Sequence, residues 1–366
     1  MALKPPVEVP QGAIRLNTDS QKLEFFAQDQ WWEMATDVPN LGGNGNASTA
    51  PTGNSADQSP GARGVFAGMT PDASAATDAM DYINITTTGN AIDFGDLLDG
   101  NRLGCGACGS RTRGLFMGGR SPSDTNIIEY ITIASTGDAK DFGDCTDKSA
   151  YQKSLSNQTR GINAGGYNPT LSDVIDYVTI ASKGDAIDFG NLSNDPPDYS
   201  TNNTGGGPAG GASPTRGVFC GGYINPGTLQ SLNVISYITI ASKGDAEDFG
   251  DMEVSRAHCA QVTSSTRSVV AMGYNQPANG NYNNMETSEY FTFATLGNGV
   301  NFGDTIASGI SPAGVSDCIR GVWAGGGTGK VIQYVNIETQ GNTVDFGDMV
   351  TAGGWFDGCS SGHGGL

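Results

Sequence analysis

Short runs in which apolar and polar positions alternate dominate the chain, and they return at a fixed interval. The clearest run is residues 127–135 (IIEYITIAS), where β-branched and aromatic residues alternate as a half-buried strand requires. Thr136, Gly137 and Asp138 follow as a hairpin turn, since Gly beside Asp accepts positive φ. Residues 140–145 (KDFGDC) then return as an edge strand with Phe142 turned inward as the aromatic anchor. Residues 113–119 (RGLFMGG) form an apolar run ended by paired glycines, which predicts an inner strand. Residues 103–110 add a further strand rich in small side chains. Four such strands in about fifty residues make the unit a propeller blade needs.

The unit occurs six times. The aromatic of its D/N-F-G-D/N segment is Phe94, Phe142, Phe189, Phe249, Phe302 and Phe346, and a turn glycine precedes each at Gly89, Gly137, Gly184, Gly244, Gly297 and Gly341. Each unit also carries an arginine at one fixed repeat position, Arg63, Arg113, Arg160, Arg216, Arg267 and Arg320. The first unit lacks its opening strand, because residues 41–62 are Gly/Asn/Ser/Pro-rich linker. The chain ends with one strand too many: Cys105 lies eight residues before Arg113, Cys259 lies eight before Arg267, and residues 354–366 resemble those strands. Their completion of the unit beginning at Arg63 predicts an all-β, six-bladed β-propeller over 63–366, closed by the strand in 354–366. Insertions gather at 191–214 and 275–287, which should project from one rim, where arrays carry specificity.

Residues 1–40 read as a separate β-hairpin module. Strands are expected at 13–17, 22–27 and 30–34, with turns at Asp19-Ser20 and Gln28-Asp29. So small a piece lacks a self-sufficient core and should dock or oligomerise. Phe25, Phe26, Trp31 and Trp32 are its dense aromatic set, serving either a mini-core or a contact with the particle or a sister subunit.

Composition narrows the functional classes. Thirty-eight acidic against nineteen basic residues give a formal charge of −19, which disfavours nucleic-acid partners. No apolar run is long enough to span a bilayer and no signal-peptide pattern opens the chain, so neither membrane insertion nor signal-peptide export is expected. Seven scattered cysteines do not form a disulfide framework and suit synthesis in a cytoplasm.

The run G-A-I-R-L-N-T-D-S-Q-K-L-E-F-F followed by W-W-E-M resembles the short modules near the start of tailed-phage fibre and other virion proteins. The downstream RGVF-GG and YITIAS-GDA-DFGD units are similar to the kelch-like repeats of marine-phage structural proteins. The resemblance implies a non-enzymatic virion structural protein, made in the host cytoplasm and located in the virion. It would be a tail-fibre, knob or adaptor-borne appendage, often trimeric, joined to other virion proteins by its N-terminal module. A host surface glycan or protein would be its outward partner, with Tyr199, Tyr223, Tyr274 and Tyr282 as rim contacts. A capsid decoration of purely architectural role and a glycan-processing propeller enzyme are the alternative readings. The absence of heptads and of Gly-X-Y stretches argues against a shaft and for a compact knob.

Candidate chemistry is sparse. D-F-G recurs in most units and lacks the other kinase motifs, so it belongs to the repeat. The acidic edge (Asp138, Asp141, Asp144) offers oxygens to calcium, but its spacing is no EF-hand and structural turns are the expected reading; no cofactor is required. Cys105 and Cys108 form a lone CxxC without the second pair a zinc site needs. His258 and His363, the only histidines, accompany no nucleophile motif. The six arginines either line a central channel as an anion site or pair with a neighbouring blade's Asp or backbone carbonyls; the second is expected.

Overall fold

The computed structural model describes residues 14–17, 22–27, 30–33, 63–70, 76–192, 207–224, 230–277 and 283–366. The chain divides into two compact units, residues 1–55 and 56–366. The first contains a three-stranded antiparallel sheet of Ile14–Asn17, Lys22–Ala27 and Gln30–Glu33. Its register sets Phe25 opposite both Ile14 and Trp32, and Phe26 opposite Trp31. Phe26 is half-buried. The expected turns at Asp19-Ser20 and Gln28-Asp29, and the linker 41–62, lie outside the described residues.

The second unit is a six-bladed β-propeller of four-stranded antiparallel sheets. Blade 3 shows the plan: Lys153–Ser156 is innermost, followed outward by Arg160–Ala164, Val174–Thr179 and Ile187–Asn191. Blade 1 combines Asp357–Ser360 with Arg63–Ala67, Ala79–Asn84 and Ile92–Asp96. The closing strand joins blade 1 as expected, but not in the register of the cysteine spacing: Cys359 stands opposite Val65 as Cys108 stands opposite Leu115, so Phe356, and not Cys359, takes the repeat place of Cys105 and Cys259. The innermost strands then pack side by side around a full circle, Asp357–Ser360 lying between Gly106–Gly109 of blade 2 and Ala313–Ser316 of blade 6. One expectation shifts by a layer: Arg113–Ser121 is the second strand of blade 2, outside Gly106–Gly109, and its hairpin with Ser123–Thr132 runs through residues expected to be loop.

A blade has no core of its own. Second strands are buried on both faces after their first residue, and the apolar side chains meet those of the adjacent sheet. One cluster joins Phe66, Ile83 and Phe356 of blade 1 to Val315, Val322, Ile332 and Phe346 of blade 6; five further clusters fill the remaining seams. Most hydrophobic burial therefore exists only when blades are adjacent.

The repeated segments cross those seams. In each D-F-G the glycine has φ of 141–156°, and a Cβ there would come within 3.0 Å of the next blade's turn-glycine backbone. That closeness lets the turn glycine donate its N–H to the phenylalanine carbonyl at 2.8–3.0 Å, as Gly244 does to Phe189. The residue after the turn glycine accepts, through Oδ1, the N–H that follows D-F-G: Asp245 from Asn191 at 2.9 Å, Asn342 from Asp304 at 3.0 Å. Asp and Asn alternate there because only a carbonyl-type oxygen is used. Asp138, Asp185 and Asp245 thus cap backbone, and among the described residues no cluster of three or more acidic, Cys or His side chains could hold a metal ion.

The arginines complete the seam. Arg63, Arg113, Arg160, Arg216, Arg267 and Arg320 each donate from Nη1 to a carbonyl of the following blade, namely Ile133, Ile180, Ile240, Phe293, Ile337 and Ile85, at 2.5–3.1 Å. Each guanidinium lies 4.4–4.7 Å over its own blade's tyrosine, from Tyr82 to Tyr334. That tyrosine meets the D-F-G phenylalanine edge-on. The backbone-carbonyl alternative is the one observed. None of these arginines lines the channel cavity.

Because the closing strand supplies both a blade edge and two seams, deleting residues 354–366 should abolish the single cooperative melting transition of the propeller, read by calorimetry. An unchanged transition would contradict the closure.

Candidate functional site

Two residues before each innermost strand the backbone passes through the left-handed region. Gly104, Tyr151, Gly207, His258, Ser311 and Trp355 have φ of 51–66°. Their N–H groups and carbonyls join in a closed circle at 2.6–3.1 Å: Tyr151 donates to Gly104, Gly207 to Tyr151, His258 to Gly207, Ser311 to His258, Trp355 to Ser311 and Gly104 to Trp355. Glycine meets this conformation without steric cost, and two of the six copies use it. A side chain there costs about 1–2 kcal/mol, yet Tyr, His, Ser and Trp occupy the rest. Such outliers persist where something besides the backbone requires the side chain.

The side chains converge over the mouth of the channel. Tyr151 meets Trp355 edge-on with ring centroids 5.2 Å apart, and His258 at 5.8 Å. His258 lies 4.8 Å from Trp355, and both Tyr223 and Tyr274 stack on it at 5.4 and 5.6 Å. From blade 2, Arg120 extends over Tyr151 and Tyr167 at 5.5 and 6.0 Å. Asp124 holds that guanidinium at two points, Nε to Oδ1 at 2.6 Å and Nη2 to Oδ2 at 3.2 Å. Tyr151, Tyr167 and Trp355 are half-buried, whereas Tyr223 and Tyr274 are each 8 % exposed. Burial first, then the neighbouring phenols of Tyr274, Tyr151 and Tyr167, push the Tyr223 hydroxyl well above the usual tyrosine range.

His258 forms the floor. It is buried, its Nδ1 lies 2.9 Å from Ser311 Oγ, and burial with the nearby Lys153 charge lowers its pKa to about 3. A Ser–His pair invites a nucleophile reading, but both groups are buried and no described carboxylate is bonded to the imidazole. The imidazole is a neutral stacking partner. An aromatic floor with phenol, guanidinium and carboxylate groups at its rim suits recognition of a ligand with both apolar and hydroxylic surface.

The opposite mouth is occupied by the chain. Beyond the closing strand, Gly364 donates to Thr263 Oγ1 at 3.0 Å, and His363 Nε2 lies 2.9 Å from the Gly109 carbonyl and 3.2 Å from Ser156 Oγ. Inside, Lys153 of blade 3 pairs with Asp357 of the closing strand at 3.3 Å, both nearly buried, while Asp357 accepts the Ala107 N–H of blade 2. The remaining cavity is about 50 Å³, room for a few waters. One end of the ring is therefore filled by the chain itself.

Of the expected rim tyrosines, Tyr223 and Tyr274 enter this mouth as buried stacking residues and not as exposed contacts. They sit on two-stranded ribbons, Tyr223–Ile224 with Gln230–Ser231 and Tyr274–Asn275 with Asn283–Asn284, which hold them against His258. Tyr199 and Tyr282 lie outside the described residues. So do the side chains of Phe25, Trp31 and Trp32, which the structure places only by backbone register. All seven cysteines are unpaired, and Cys105 and Cys108 are buried with thiols raised to about 11 and about 12 by desolvation. Tyr151, Trp355, Arg120 and the role of His258 are absent from the sequence reading. Their only signal is one repeat position that reads Gly, Tyr, Gly, His, Ser and Trp, where the shared property is a φ value.

No family model matches the chain, and no curated protein matches it.

His258 yields a pH prediction. Its folded pKa, about 3, lies below the ordinary 6.5, so its stabilising contribution is complete above pH 6.5 and is lost as pH falls through that window. Asp81, raised to about 6 by burial, acts in the opposite sense, so the test is a difference. His258→Asn should melt below the native protein at pH 7.5, and the gap should narrow as pH falls to 4.5. A gap independent of pH would contradict the neutral buried imidazole.

Proposed function

We propose that the chain is a non-enzymatic virion structural protein, a fibre-, knob- or adaptor-borne appendage, that displays a rigid propeller for binding at a host surface. Residues 1–40 would join it to other virion proteins or to sister subunits, with a trimer favoured. The observation that carries the binding role is the aromatic mouth: four strained, non-glycine positions and two ribbon tyrosines gather at one end of a ring whose other end is filled. The virion setting is supported by the resemblance of the N-terminal module, whose register sets Phe25 opposite Trp32 and Phe26 opposite Trp31.

The regularity of the seams supports a scaffold role for the repeat. D-F-G-D, the Gly-Asp turns and the arginines are all engaged between blades, so the differences between blades lie in the mouth residues and in the insertions at 191–214 and 275–287. Architectural decoration predicts a mouth without consequence. Purified protein should compete with the parent particle for adsorption to host cells, and Arg120→Ala should weaken that competition. Particles lacking the chain that adsorb normally would favour decoration.

A further inference from the structure

We infer that the mouth framed by Tyr151, Trp355, Tyr167 and the Arg120–Asp124 pair binds a neutral saccharide. This rests on the binding reading above and specifies the chemistry of the ligand. The circle of six left-handed residues supplies the first argument. Gly104 and Gly207 show that the backbone circle closes without side chains, so the rings of Tyr151 and Trp355 are not needed to form it. Both are half-buried, keeping part of their surface open while packing edge-on to each other. A pyranose presents a face of C–H groups that lies against such rings, with hydroxyls around its edge.

The polar groups match that edge. Vicinal hydroxyls each donate and accept, and a planar guanidinium–carboxylate pair offers both functions side by side. Arg120 uses Nε and Nη2 on Asp124, leaving Nη1 directed to neither oxygen, and its side chain is 32 % exposed. Around it stand the phenols of Tyr151 and Tyr167.

Competing ligand classes fit less well. A cationic ligand would meet the Arg120 guanidinium at the same rim, with the Asp124 carboxylate already engaged. A phosphate, sulfate or uronate would meet a guanidinium neutralised by Asp124, on a chain of formal charge −19. A purely apolar ligand would bury phenol, guanidinium and carboxylate groups without partners.

The experiment is a microarray carrying neutral and acidic glycans, probed with labelled full-length protein and with Trp355→Gly, Tyr151→Gly and Arg120→Lys variants. Binding should be confined to neutral glycans and should weaken by about tenfold or more in each variant. Strain relieved in the two glycine variants is offset by lost contacts among Tyr151, Trp355 and His258, so folding is judged on Arg120→Lys, whose side chain is 32 % exposed and which should melt near the native temperature. This separates lost recognition from lost folding. Three results would overturn the inference: no neutral glycan retained, binding confined to acidic glycans, or undiminished binding by both glycine variants. Periodate oxidation of host-cell glycans distinguishes the two levels: competition that survives oxidation defeats the saccharide while the binding reading stands.

Discussion

The architecture depends on a close approach of backbones between blades. At each seam the D-F-G glycine lies against the next blade's turn glycine with no room for a Cβ, and a hydrogen-bond latch closes across the gap. The arginine brace and the shared apolar cluster build on that contact. A blade separated from its neighbours would lose the latch, the brace and most of its burial together. Stability is thus a property of the ring, and a ring has no free end once Asp357–Ser360 joins Arg63–Ala67. The buried Lys153–Asp357 pair ties the same closing strand to blade 3 past the intervening blade.

With the seams so regular, departures from regularity carry the functional information. One end of the channel is filled by residues 361–366 through His363 and Gly364. At the other end a six-fold backbone circle is furnished with four different side chains, and blades 4 and 5 add ribbons that bring Tyr223 and Tyr274 onto His258. The symmetric frame tolerates this asymmetry because the circle is closed by N–H and carbonyl groups, which every residue possesses. The cost is local strain in Tyr151, His258, Ser311 and Trp355, carried by a surround that is itself locked by the seams.

The fold was legible because its determinants are short-range and repeated. Alternation in residues such as Ile128, Tyr130 and Ile131, a turn glycine and a following phenylalanine recur six times, and the missing first strand is answered by a surplus last one. The arginines were legible in role, since six equivalent cations are more readily explained by six equivalent seams than by one site. The mouth was not legible. Tyr151, His258, Ser311 and Trp355 share no side-chain chemistry, and Arg120 lies in a stretch that reads as loop. Tyr223 and Tyr274 were identifiable as inserted aromatics, but the sequence does not reveal that ribbons turn them inward to stack on an imidazole. Convergence of that kind is created by closure of the ring, which no local pattern encodes.

The central claim is that the repeat is inter-blade hardware, and Gly190→Ala tests it most directly. Gly190 has φ of 154° and its added methyl would collide with the Gly244 backbone of the next blade. By calorimetry the melting midpoint should fall by about 5 °C or more, with the transition remaining single because the seams stand or fall together. A midpoint equal to that of the native protein would show that the close approach is not what holds the blades, and would contradict the account.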